Sequence, residues 1–229
     1  MTCAERLEAA LGELRANANP KDLEGMARFG IKTDRALGVK VPTQRKIARA
    51  YRNDHELALA LWDTKIHEAR MMASMVDDPA QVTPAQMDRW AEDFDSWDIC
   101  DQCCGNLFDR TPHAYGKVVE WSDRPEEFVK RSAFALIAGL TVHDKAAGDE
   151  MFIAWLELME REAWDERNFV WKAVNWALRN TGKRNAALNA AALGCARRIL
   201  EQGTRSARWI ARDAIRELES DAVRRRLGL

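Results

Sequence analysis

At 229 residues, with 47% hydrophobic and 31% charged residues and only 12 Gly and 6 Pro, the chain can bury a full core without metals or disulfides and is expected to be soluble and helix-rich. The net charge of −1 hides an asymmetry: residues 1–160 hold 20 Lys+Arg against 28 Asp+Glu, while residues 161–229 hold 15 against 8. The most apolar run, "SAFALIAGLTV" (132–142), is too short to span a membrane, and five cysteines, three of them within five residues, argue against a secreted disulfide framework. Reduced thiols in a cytoplasmic protein are the expectation.

Taken in order, the chain opens on "MTCAERLEAA", acidic and amphipathic and unlike a signal peptide. Pro42, Pro79, Pro112 and Pro125 mark helix starts or breaks, and Gly182 and Gly203 mark helix ends. Thr83-Pro84-Ala85-Gln86 has the layout of a capping box, with Pro at the first helical position. No strand alternation exceeds a few residues, the loops are short and no Gly/Ser-rich linker interrupts them, so one domain over 1–229 is expected.

In "DSWDICDQCC" (95–104) Asp95 can cap a helix. At 100° per residue Cys100, Cys103 and Cys104 fall on a broad apolar arc, opposite Asp98, Gln102 and Asn106. The thiols are therefore expected in the core. A zinc site is not expected, because Cys3 and Cys195 are isolated and His113 has no partner at ligand spacing. Trp97 and Asp101, one turn apart, share a face at the edge of this arc. A carboxylate held against an indole can steady a cation or orient a water.

Further on, "FVKRSAFALI" (128–137), "FVWKAVNWAL" (169–178) and "WIARDAIREL" (209–218) align without gaps at offsets of 41 and 40 residues. A period near 40 in a helical chain predicts an all-α fold of HEAT-like repeats stacked into a curved solenoid. The fourth position of each segment is basic, Arg131, Lys172 and Arg212. A row of this kind along a concave groove would suit a phosphate backbone, and local salt bridges are the alternative. Trp176, in a helix otherwise basic or small, is either core or a stacking surface.

The segments "GVKVPTQRKIA" (38–48), "SWDICD" (96–101), "FVKRSAFALI" (128–137) and "VNWALRN" (174–180) resemble, in order and spacing, the bacterial DNA alkylation repair proteins of AlkD-like, HEAT-repeat alkylpurine DNA glycosylases. The resemblance extends over most of the chain. It implies a catalytic set of Trp97, Asp101, Arg131 and Trp176, with Arg179 on the DNA backbone beside Lys172 and Arg212. Better-known members have Gly where this chain has Asn175. The implied activity is cofactor-free and metal-free excision of cationic N3- or N7-alkylpurines from duplex DNA by a monomer, with the lesion left stacked. Two other readings remain: a non-enzymatic HEAT module that binds bent or branched DNA, and a protein-interaction scaffold.

Overall fold

The computed structural model describes residues 1–229. The fold is all-α, with fourteen helices and no strand. It divides into two compact units, Met1–His113 and Ala114–Leu229. No helix is long and apolar enough to cross a membrane.

The first unit contains α1 (Cys3–Ala16), α2 (Pro20–Arg28), α3 (Val41–Ala48), α4 (His55–Asp63), α5 (His67–Val76), α6 (Pro84–Glu92) and α7 (Trp97–Asn106). Helix α1 starts in a complete capping box, Thr2 with Glu5. At α6 only half of the expected box forms. Thr83 accepts from the Gln86 N–H at 3.1 Å, but the Gln86 amide turns inward and donates to Asp77 at 2.7 Å. Trp62 and Trp90 stack at 4.1 Å between centroids and nearly parallel, with Phe94 and Phe108 against them. Much of the high Trp content is therefore core, since these two indoles and Trp121 of the second unit are fully buried. Helix α5 is buried on nearly all sides, packed by α3, α4 and α7.

The second unit contains α8 (Ala114–Ser122), α9 (Glu127–His143), α10 (Asp149–Glu162), α11 (Asn168–Gly182), α12 (Ala186–Glu201), α13 (Arg205–Leu218) and α14 (Asp221–Leu227). Its helices form two rows: α9, α11 and α13 pack side by side, and α10 packs on α12. This is the HEAT-like pairing that the 40-residue period predicts. The three repeated segments lie one on each helix of the α9–α11–α13 row, and their aromatic residues join its members. Phe128 lies against Phe169 at 5.6 Å, and Trp171 stacks on Trp209 at 5.8 Å. The apolar run 132–142 is the body of α9, buried from Ser132 to Ala138 and at Leu140 and Thr141. At the other end of α11, a Cβ on Gly182 would come within 2.6 Å of the Leu218 side chain and 3.0 Å of Ala192. The residue that closes α11 is thus small because α12 and α13 converge on it. Gly203, at φ +74°, turns the chain out of α12 as expected.

Candidate nucleic-acid interface

Helix α7 is capped by Ser96, not by Asp95. The reason is tertiary. The Ser96 hydroxyl accepts from the Lys32 N–H at 3.0 Å, so it ties the loop after α2 to the start of α7 and caps without a side-chain bond to its own helix. The same loop fixes Trp97, whose indole N–H donates to the Phe29 carbonyl at 2.9 Å. Trp97 and, one turn later, Asp101 are half-buried. The ring is therefore anchored through its edge, which restricts its rotation.

Around the same helix, Cys100, Cys103 and Cys104 are buried, as the apolar arc predicts. Burial pushes the Cys103 and Cys104 thiols well above their usual range; for Cys104 the bond to Cys100 and the nearby charges of Cys100 and Asp101 add to it. The polar side of α7 faces α3 and α5. Asp98 accepts from His67 at 2.8 Å, Gln102 accepts from Arg45 at 3.1 Å, and Asn106 donates to Ser74 at 3.2 Å. Burial alone would lower the pKa of His67. The hydrogen bond and charge of Asp98, with Glu68 and Asp95 nearby, outweigh it and raise the value. The His67–Asp98 pair is not foreshadowed by any motif, because a lone His 31 residues upstream gives no spacing signal.

In the second unit the basic row is in register but not alike in exposure. Lys172 and Arg212 are exposed, whereas Arg131 is buried and donates to the Phe169 carbonyl at 2.6 Å. The Arg131 guanidinium thus bridges α9 to the first turn of α11. Trp176 is half-buried, one turn beyond Lys172 on α11. Arg179 is held by Glu217 at 2.5 Å and Asp213 at 3.3 Å, and Lys183 meets Glu217 at 2.6 Å. Burial raises the pKa of Glu217 less than its Lys183 and Arg179 partners lower it. Asn175 is buried and donates to Asp213 at 2.7 Å. It clamps α11 to α13 immediately before Trp176.

One feature of this unit escaped the sequence reading. The Arg205 guanidinium lies 5.5 Å from the centre of the Trp171 ring, and Trp209, stacked on Trp171, is 42% exposed. With Arg208 and Arg212 also exposed, α13 presents an aromatic residue among cations, a composition suited to bases and phosphates. The signal was present in the repeat, whose third segment opens on Trp209.

Comparison with known proteins agrees with this architecture. A search of curated proteins finds no match. Among solved structures, one aligns with a TM-score of 0.78 at 17% identity, covering 97% of this chain and 96% of the other. That protein is described as one of "a new family of proteins related to the HEAT-like repeat DNA glycosylases with affinity for branched DNA structures". At this identity the likeness establishes the fold. The model of the family described as "DNA alkylation repair enzyme" matches residues 10–218. The chain belongs to the DNA alkylation repair enzyme family.

Proposed function

We propose that this protein is a DNA glycosylase that removes cationic N3- or N7-alkylpurines from duplex DNA, with the lesion left stacked. The observation that carries the reading is the start of α7, where an indole, Trp97, held by the Phe29 carbonyl, is followed one turn later by a half-buried carboxylate, Asp101. An alkylated, cationic purine is already a good leaving group, so a strong general acid is unnecessary. As the C1′–N bond breaks, its electron pair goes to the purine and cancels the positive charge of the ring. The sugar becomes oxocarbenium-like, and Asp101 stabilises that charge and orients the water whose oxygen attacks C1′. The face of Trp97 adds cation–π attraction of about 1 kcal/mol. Trp176 takes the stacking role that the family motif assigns to it, and the exposed Lys172 and Arg212 contact the backbone, whereas Arg131 and Arg179, engaged by the Phe169 carbonyl and by Glu217 and Asp213, position the helices that carry them.

The second reading, a HEAT module that binds branched DNA without excision, is favoured by the description of the structural neighbour. One assay separates the two. Methylated duplex is incubated with the protein, and released bases are identified by chromatography. Release of 7-methylguanine or 3-methyladenine is expected. Binding of a four-way junction with no base released would establish the second reading.

A further inference from the structure

The first unit holds a cavity of about 410 Å³ lined by four arginines, Arg45, Arg49, Arg52 and Arg110, together with Asn106 and Asp77. All four arginines are exposed, and they converge within a stretch of chain whose overall balance is acidic. The one carboxylate in the lining is already committed. Asp77 is buried, and its oxygens accept from His55 at 2.7 Å, Gln86 at 2.7 Å and the Asp78 N–H at 2.8 Å. The wall beside Arg45 is fixed by the Gln102 side-chain oxygen, Oε1, which accepts from both Arg45 and Asn106 at 3.1 Å, while Asn106 also donates to Ser74.

Arg45, Arg49 and Arg52 follow one another at intervals of four and three residues, through the end of α3 and a 3₁₀ turn, Arg49–Tyr51. They therefore occupy one face, over a rise of roughly 11 Å. One strand of duplex DNA places about three phosphates along that length. Guanidinium groups bind such oxygens through paired N–H donors, which lysines cannot reproduce.

We propose that this cavity binds consecutive phosphodiesters of a DNA strand, a backbone contact additional to the basic row of the second unit. The inference rests on the DNA-binding reading above. Its test is the salt dependence of binding to a fluorescent duplex, for wild type, Arg49→Ala/Arg52→Ala and Arg49→Lys/Arg52→Lys. Circular dichroism establishes that each variant is folded. The alanine pair is expected to bind about tenfold more weakly near 100 mM salt and to lower the slope of log Kd against log salt by about 2, whatever the sequence. The lysine pair keeps most of the slope but loses affinity. If the alanine pair keeps the wild-type slope while Lys172→Ala/Arg212→Ala lowers it, the cavity assignment is wrong and the DNA-binding reading stands. If wild type binds no duplex, both fail. Inorganic phosphate is then titrated calorimetrically into wild type, and heat lost in the alanine pair would reassign the cavity to a small phosphorylated ligand.

Discussion

The start of α7 and the α11–α13 pair show two kinds of anchoring. On α7 the indole is anchored by a backbone carbonyl and the Ser96 hydroxyl by a backbone amide. In the second unit several basic residues are consumed internally: Arg131 on the Phe169 carbonyl, Arg179 and Lys183 on Glu217, and Arg216 on Asp213. Counting cations along a sequence therefore overstates what the surface can offer to DNA. Lys172, Arg205, Arg208 and Arg212 are exposed on these helices and are not held by an acid.

The contrast can be broken first at its chemical end. Asp101→Asn should reduce the rate of 7-methylguanine release by about a hundredfold or more, the usual cost of losing one preorganised electrostatic stabiliser. A single-turnover rate equal to wild type would remove Asp101 from the mechanism.

The next largest effect should separate the two kinds of arginine. Arg131→Ala leaves the Phe169 carbonyl without its charged donor and should cost about 2 kcal/mol, read from urea unfolding. Lys172→Ala/Arg212→Ala should leave stability within about 0.5 kcal/mol of wild type. The same pair should weaken duplex binding and lower its salt slope by about 2. If Arg131→Ala is as stable as wild type, Arg131 does not bridge α9 to α11.

The smallest effects are in pH. His67 has a raised pKa, so its pairing with Asp98 stabilises the fold fully below the ordinary value of 6.5 and is lost as pH rises through the folded value. Glu217 has a lowered pKa, so its contribution is complete above its ordinary 4.5 and is lost as pH falls through the folded value. Urea midpoints measured across pH should lose the alkaline-side decline in His67→Gln and the acid-side decline in Glu217→Gln. Two unchanged profiles would mean that neither pair contributes measurably.

What was legible in the sequence follows from what is local. The 40-residue period, the apolar arc of α7 and the stop at Gly203 are read from neighbours along the chain, and each has its structural counterpart. The cap of α7 was not legible, because Ser96 is recruited by Lys32, 64 residues away. Gln86 left its capping box for Asp77 for the same reason, a better partner supplied by the fold. Periodicity put Arg131 in register with Lys172 and Arg212. Its burial depends on where α11 begins beside α9, which no spacing within one segment encodes. Asp101 and Trp97 could be singled out from their i, i+4 relation, but the carbonyl that orients the indole lies in a loop with no motif of its own.

Asp213 is the node on which several of these groups meet, since it accepts from Asn175, pairs with Arg179 and pairs with Arg216. A single carboxylate in that position acts as a brake on the charge of the surface. Asp213→Asn would raise the net charge by one and leave two guanidinium groups less firmly tethered, so the variant should grip duplex DNA more tightly, with a steeper salt slope. Affinity in this protein can thus be increased by removing an acid, without adding a single base.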